Sequence, residues 1–176
     1  ANTAFAADPP ALPDEDLASD MLDLVAARLA GAGMERYEVS AYARAGHRCR
    51  HNLNYWQFGD YLGIGAGAHG KLSFPDRIVR QVRWREPAMY MDKALAGQAL
   101  SNEHAVAPDQ LAGEFMLNAL RLAEGFDAAR FAERTGQSLA TIDAALRRAL
   151  ERGLIERDGT RWRASPRGFD FLSDLQ

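Results

Sequence analysis

The sequence contains one cysteine, Cys49, in 176 residues. A single thiol excludes a disulfide within the chain, and it also excludes an iron–sulfur cluster held by several cysteines of this chain alone. A sequence without an internal disulfide is typical of a reducing compartment, so we expect a cytoplasmic protein.

Long apolar runs are missing as well. No stretch of the sequence approaches the roughly 20 apolar residues that a membrane-spanning helix needs, so we expect at most peripheral contact with a membrane. A large excess of charge of one sign is also missing, since the sequence has 21 basic and 24 acidic residues and a net charge of −3. The composition gives no general attraction to nucleic acid, and we expect no nucleic-acid partner.

The first residues, ANTAFAADPPALPDED, lack an initiating methionine, a basic segment and a continuous apolar core. They therefore do not match a secretory signal peptide. We expect the chain to be part of a longer protein, and 176 residues are enough for one full domain or two small ones.

Helix and strand patterns alternate in the first half. Residues 14–30 begin with acidic residues and continue with apolar residues at helical spacing, which predicts a helix that stops at Gly31. YEVSAYA, residues 37–43, alternates polar and apolar residues and predicts a strand. YLGIGAGAHG, residues 61–70, predicts a short buried strand that ends in a glycine-rich loop. SFPDRIVRQVRW, residues 73–84, predicts a surface hairpin or an edge strand.

The second half is mainly helical and ends in a predicted hairpin. LIERDGTRWRASPRGFDFLSDL, residues 154–175, predicts a strand, an Asp-Gly turn, a second strand and a short helix. Helices followed by a two-stranded wing resemble a winged helix. We predict an α/β first domain, residues 1–85, and a helical, winged-helix-like second domain, residues 86–176. Four helices are predicted before the wing, in PAMYMDKALAGQ, APDQLAGEFMLNALRLAEG, FDAARFAERTG and SLATIDAALRRALERG.

A winged helix raises DNA binding as an alternative function. Residues 141–167 hold seven arginines against four acidic residues, an excess that could contact phosphates. However, Glu151, Glu156 and Asp158 interrupt this basic stretch, and the candidate recognition helix offers mainly Ala, Leu and Arg instead of polar side chains for base edges. DNA binding is therefore the weaker alternative.

HNLNYW, residues 51–56, places a histidine close to two aromatic side chains. In a helical turn His51 and Tyr55 would share one face, while Trp56 would turn toward a neighbouring face. A nitrogen ligand beside aromatic rings suits a flat, electron-rich ligand. The alternative is structural, because a buried histidine under a tryptophan can simply fill a core.

GIGAGAHG, residues 63–70, and the histidines near Cys49 give weaker signals. The glycine-rich run lacks the lysine-serine ending of a Walker loop and does not match the Rossmann G-x-G-x-x-G spacing, so it indicates a strand with room for a ligand or a close backbone neighbour. His47, Cys49 and His51 alternate and could provide a metal or haem ligand, but structural zinc normally takes four ligands. An exposed basic loop remains the alternative.

Three sequence blocks, YEVSAYAR, CRHNLNYW and GDYLGIGAGAHG, follow one another in this order at short spacing. Together they resemble the oxygen-independent coproporphyrinogen III oxidase-like family of the radical SAM superfamily, and more closely its haem-chaperone (HemW) branch. The resemblance covers nearly the whole chain, and the central block is its specific part. The terminal helices are matched mainly by order and length.

The resemblance implies a role in porphyrin and haem metabolism. In that branch H-N-x-x-Y-W is the proposed haem-binding motif, which implies His51 as the iron ligand and Asn52, Tyr55 and Trp56 as residues that shape its pocket. Haem trafficking is the expected function, and decarboxylation by a true coproporphyrinogen III dehydrogenase is the alternative. The implied partners are haem or a porphyrin, and haem-accepting respiratory proteins.

The resemblance also implies a partial (βα) barrel that carries a [4Fe–4S] cluster and S-adenosylmethionine, followed by a smaller C-terminal domain. The chain lacks the family's C-x-x-x-C-x-x-C cluster motif. We therefore expect the C-terminal part of a longer protein that contains the last two barrel strands, and we expect this chain to be inactive alone, with no catalytic residue. Whether the longer protein is an enzyme stays open. The segment expected to face the adenosyl cofactor is Gly65, Gly67, Ala68 and His69.

The C-terminal domain is expected to serve as a docking module or lid. Its apolar positions account for a local core, and an arginine-rich wing around Trp162 remains. Guanidinium groups of this wing suit an acceptor protein, anionic lipid heads or the carboxylates of haem.

Overall fold

The computed structural model describes residues 3–175. Contacts divide the chain into two units, one of Ala1–Arg36 with Ser40–Arg48 and one of Tyr37–Val39 with Cys49–Gln176. The division into domains 1–85 and 86–176 stays a prediction.

The first unit contains the predicted long helix. Helix α1 covers Ala4–Ala7, and α2 covers Glu15–Gly31, where the Asp14 side chain accepts a hydrogen bond from the Leu17 amide at 2.8 Å. This cap and the acidic first turn explain why the helix begins there. The apolar residues of α2, Leu17, Met21, Leu22, Leu24 and Val25, are exposed.

The single strand predicted over residues 37–43 was wrong. Strand β1 covers Glu35–Glu38 and β2 covers Ala41–Ala43, and a turn at residues 39–40 separates them. The two strands form a two-stranded sheet. Alternation of polar and apolar residues continues through the turn, so the pattern alone could not distinguish one strand from a short hairpin.

The second unit begins with α3 and a three-stranded antiparallel sheet. The sheet order is β3 (His69–Ser73), β4 (Ile78–Arg83) and β5 (Leu100–Ala105), with Lys71 opposite Arg80 and Arg80 opposite His104. The hairpin of β3 and β4 confirms the hairpin alternative for residues 73–84, and the edge-strand alternative was wrong because β4 lies between β3 and β5. Strand β5 was missed. The elements are α3 (Arg50–Trp56), β3 (His69–Ser73), β4 (Ile78–Arg83), α4 (Pro87–Leu95) and β5 (Leu100–Ala105).

The buried strand predicted within residues 61–70 was also wrong. Tyr61 forms one isolated bridge to Lys71, and residues 62–68 are irregular. Leu62 and Ile64 are exposed, at 69% and 82%. Gly65 and Gly67 have φ values of +106° and +71°, which turn the chain before β3 begins.

The remaining chain packs around a cluster of aromatic rings. Phe115 is fully buried, and its ring makes edge contacts with Phe58, Phe126 and Phe131 at centroid distances of 5.8, 5.1 and 5.2 Å. These contacts join the segment that follows α3 to the helices of the second half of the chain. The predicted strand–turn–strand is confirmed, and β6 completes its sheet in the order β6-β8-β7. The elements are α5 (Pro108–Ala119), β6 (Phe126–Asp127), α6 (Ala128–Thr135), a 3-10 turn (Leu139–Ile142), α7 (Asp143–Glu151), β7 (Ile155–Asp158), β8 (Arg161–Ala164), α8 (Pro166–Asp170) and α9 (Leu172–Leu175).

Within residues 3–175, every helix is too short or too polar to cross a bilayer.

Two helical glycines should respond in opposite directions to substitution by alanine. A Cβ at Gly168 in α8 would overlap the carbonyl group of Leu154, whereas a Cβ at Gly113 in α5 meets nothing within 4 Å. Gly168→Ala should lower the free energy of unfolding by about 1–3 kcal/mol through overpacking. Gly113→Ala should raise it by about 0.5–1 kcal/mol, because alanine has the higher helix propensity. Urea unfolding of both variants checks this, and equal effects of the two substitutions would contradict the packing at Gly168.

Candidate functional site

HNLNYW forms most of α3, which confirms the helical interpretation of this run. The rings of His51 and Tyr55 share one face, with centroids 4.8 Å apart in an edge-on arrangement. His51 is exposed, so this histidine does not fill a core. The imidazole is available for a ligand beside an aromatic ring.

A third ring extends this pair across the fold. Tyr55 packs on Tyr61 with ring centroids 4.2 Å apart and an interplanar angle of 35°. The Tyr61 hydroxyl accepts a hydrogen bond of 2.9 Å from Nη1 of Arg80 in β4. His51, Tyr55 and Tyr61 are called the aromatic row below. The row links α3 to the β3-β4-β5 sheet.

The other two motif residues contact different neighbours. The Asn52 amide donates to the Tyr37 hydroxyl at 3.4 Å, and the Trp56 ring lies under the Arg121 guanidinium at 4.3 Å. Arg121 also pairs with the buried Glu38 carboxylate at 3.6 Å. The structure therefore brings together His51 and Tyr55 of the predicted site, while Asn52 and Trp56 anchor α3 to Tyr37 and to Arg121, which follows α5.

A buried lysine fixes the segment that leads from α3 to Tyr61, the last ring of the aromatic row. The Lys71 side chain is 1% exposed, and its ammonium donates to the Phe58 carbonyl at 3.0 Å, to Asp60 Oδ1 at 3.0 Å and to the Ser73 hydroxyl at 3.1 Å. These three bonds use all three N–H groups of the ammonium. Burial lowers the pKa of Lys71, and the hydrogen bond with Asp60 opposes that change. Phe58, which has a left-handed φ of +57°, is held in this conformation by the same contacts.

Backbone groups of the predicted cofactor segment, Gly65 to His69, form hydrogen bonds with other residues of the protein. The Gly65 amide donates to the Tyr90 hydroxyl at 3.2 Å, and the Gly67 amide donates to the Trp84 carbonyl at 2.8 Å. The Ala68 carbonyl accepts from the Arg83 amide at 2.9 Å. His69 begins β3 with an exposed side chain. Contact of this segment with an adenosyl cofactor stays a prediction.

A cleft lies on the sheet face where the aromatic row ends. Its volume is about 440 Å³. Cross-strand register puts His69, Arg80 and His104 on the same face of β3-β4-β5, and α5 covers this face with Glu114, whose carboxylate pairs with Arg80. Sequence reasoning missed these residues except His69, because strand register and the packing of α5 on the sheet bring them together. The complete lining is Tyr61, His69, Arg80, Val82, His104, Glu114, Leu117 and Asn118.

A multi-ligand metal centre finds no support in the described part of the chain. No group of three or more His, Cys, Asp or Glu side chains among residues 3–175 could hold a metal ion. Iron ligation by His51 stays a prediction.

Comparisons with known proteins identify the family context. Residues 106–171 match the model of the HemN C-terminal domain. The chain is 39% identical to the haem chaperone HemW of Escherichia coli K12 and 40% identical to that of Haemophilus influenzae, with 99% of this chain and 45% of each relative covered. Identity to HemW of Bacillus subtilis is 34%, over 82% of this chain and 38% of the relative. The chain is a relative of the HemW proteins.

These matches confirm the resemblance drawn from the sequence. The chain spans less than half the length of the HemW proteins it matches. The solved structure of coproporphyrinogen III oxidase (HemN) from Escherichia coli, described as a radical SAM enzyme, matches with a TM-score of 0.65 and 17% identity, over 93% of this chain and 41% of the other. That likeness shows a shared mixed α/β fold.

Replacing Asp60 should test the lysine-centred network. Burial raises the pKa of Asp60, but hydrogen bonds from the Ser73 side chain and backbone, together with Lys71, outweigh burial and hold the pKa below its ordinary value of 3.8. Asp60 therefore stabilises the fold above that value, and its contribution is lost as pH falls through the lower, folded-state pKa. Asp60→Asn should cost about 1 kcal/mol near neutral pH, because the Asp60 side chain is 40% exposed and solvent screens part of its interaction with Lys71. The difference in stability from wild type should narrow in acid.

Urea unfolding over a pH series measures this gap. Asp76→Asn is the matched control, since Asp76 lies at the exposed turn of the same hairpin and pairs only with its exposed neighbour Arg77 among the described contacts. A gap between wild type and Asp60→Asn that is the same at neutral and acidic pH would contradict the role of the Asp60 carboxylate.

Proposed function

We propose that the longer protein that contains this chain binds haem and delivers it to acceptor proteins, with His51 as the residue that would hold the iron. The observation that carries the proposal is an exposed imidazole at the end of the aromatic row. Imidazole nitrogen is an established haem ligand, and aromatic rings favour contact with a flat conjugated macrocycle. The relatives named haem chaperones support haem as the ligand.

The rest of α3 serves this site by fixing the helix. Asn52 and Trp56 are four residues apart and share the face of α3 next to that of His51, where the Asn52–Tyr37 hydrogen bond and the Trp56–Arg121 contact hold the helix. The imidazole therefore projects from a helix whose neighbouring face is anchored. A fixed ligand costs less ordering entropy when the iron binds.

A [4Fe–4S] cluster does not fit the residues of this chain. Such a cluster needs several thiolates, and the chain has only Cys49, which is exposed. In the proposal the cluster and S-adenosylmethionine belong to a partial barrel in the longer protein, and Gly65, Gly67, Ala68 and His69 lie at the edge of that barrel.

We propose that the C-terminal part is a winged-helix-like docking module. The order α5, β6, α6, α7, β7, β8 supports this assignment. Its arginines are largely engaged: Arg163 pairs with Glu156 at 2.9 Å, and Arg157 lies 5.0 Å from the Trp162 ring. Guanidinium groups pair well with carboxylates, so the wing suits acidic side chains of an acceptor protein. Haem-accepting respiratory proteins are the proposed acceptors.

Loss of the imidazole should weaken haem binding. In the intact protein, His51→Ala should raise the dissociation constant of hemin by about tenfold or more and abolish the Soret shift that accompanies imidazole ligation. Absorbance titration with hemin measures both quantities.

His47→Ala is the matched control, because His47 is also exposed and lies four residues earlier. Its titration should overlay that of wild type. Identical titrations of wild type and His51→Ala would remove His51 as the iron ligand.

A further inference from the structure

We propose that the cleft on the β3-β4-β5 sheet binds the carboxylate groups of the haem whose iron is held at His51. This inference rests on the proposed function and adds a second contact region to it. Arg80, His69 and His104 provide the donors, and Tyr61 connects the cleft with the aromatic row.

The position of Tyr61 joins the two regions. Its ring packs on Tyr55, and it also lines the cleft. The His51 imidazole reaches Tyr61 through two ring contacts, with centroid distances of 4.8 Å from His51 to Tyr55 and 4.2 Å from Tyr55 to Tyr61. A macrocycle that lies along the aromatic row would therefore bring its acidic edge toward Arg80.

Arg80 is oriented for a carboxylate and retains donors. Its Nε and Nη2 donate to Glu114 Oε2 at 3.1 and 2.5 Å, and Nη1 donates to the Tyr61 hydroxyl at 2.9 Å. A guanidinium carries five N–H groups, so two remain beyond these three bonds. Glu114 and Tyr61 fix the plane of the guanidinium, and the remaining N–H groups can bond a carboxylate with little loss of side-chain entropy.

The surroundings of Arg80 favour an anion over a cation. His69 and His104 are exposed on the same sheet face, and both imidazoles can donate a hydrogen bond. Glu114 is the acidic residue of the cleft lining and pairs with Arg80, so the N–H donors of the cleft, and not its net charge, favour an anion. Glu103 belongs to the other face of the sheet, because its register position is that of Gln81 and not of Arg80.

The cleft also has the size and the apolar surface for part of a macrocycle. A volume of about 440 Å³ falls in the range of small-molecule sites. Val82 and the half-exposed Leu117 provide apolar contact beside the polar donors. Such a mixture fits an apolar ring edge that carries carboxylates better than it fits a small, fully polar acid.

Hemin and its dimethyl ester separate the carboxylate contact from the iron contact. In the intact protein, Arg80→Gln should raise the dissociation constant of hemin by about tenfold or more, because a charge-assisted hydrogen bond is lost. The ester lacks the carboxylates, so its affinity should be the same for wild type and Arg80→Gln. His104→Asn, an exposed change on β5 that leaves the core intact, should also weaken hemin and not the ester.

Arg77→Gln is the matched control, because Arg77 lies at the exposed β3–β4 turn and pairs with Asp76 outside the cleft lining. It should leave both ligands unaffected. Succinate tests whether free carboxylic acids are the ligands instead, and competition by succinate at micromolar concentration would overturn the proposal. Equal losses for hemin and ester, or no loss for hemin in Arg80→Gln and His104→Asn, would also overturn it.

The failure of this inference can be told apart from failure of the proposed function. If hemin affinity falls in His51→Ala but not in the two cleft variants, the cleft assignment fails and the iron ligand stands. If wild-type protein binds no hemin, both proposals fail.

Discussion

The buried ammonium of Lys71 is the constraint on which the arrangement of the site depends. A charged group at 1% exposure is costly unless each of its N–H groups has a partner, and Lys71 meets this condition through Phe58, Asp60 and Ser73. Its ammonium also lies 4.1 Å above the Phe58 ring, which packs against Phe115 in the core. One side chain thus ties the exit of α3 to β3 and to the central aromatic cluster.

These contacts of Lys71 set the geometry of the aromatic row and of the cleft. Because residues 58–60 are fixed to β3, Tyr61 follows in a defined position between Tyr55 and Arg80. The strand register then places Arg80 between Lys71 and His104 on one sheet face. The aromatic row and the cleft are therefore consequences of a single packing arrangement, and a ligand that spans them would meet a preorganised surface.

Local signals were enough to predict several elements from the sequence. Asp14 and the acidic first turn predicted the start of α2, the Asp158–Gly159 turn predicted the β7–β8 hairpin, and the spacing of His51 and Tyr55 predicted one helical face. Partners distant in sequence were not predictable. LSNEHA, the strand β5, has no apolar alternation and pairs through its backbone. Leu62 and Ile64 suggested burial, but Gly65 and Gly67 turn that segment instead.

The central claim is that the aromatic row lies against a bound macrocycle. Gallium protoporphyrin is a diamagnetic substitute for haem, and its ring current shifts the NMR signals of protons above or beside the macrocycle. In the saturated complex of the intact protein, selectively labelled Tyr55 and Tyr61 should show large ring-current shifts, while the buried Phe131 of the core should not. Unshifted signals of Tyr55 and Tyr61 in a saturated complex would contradict the account.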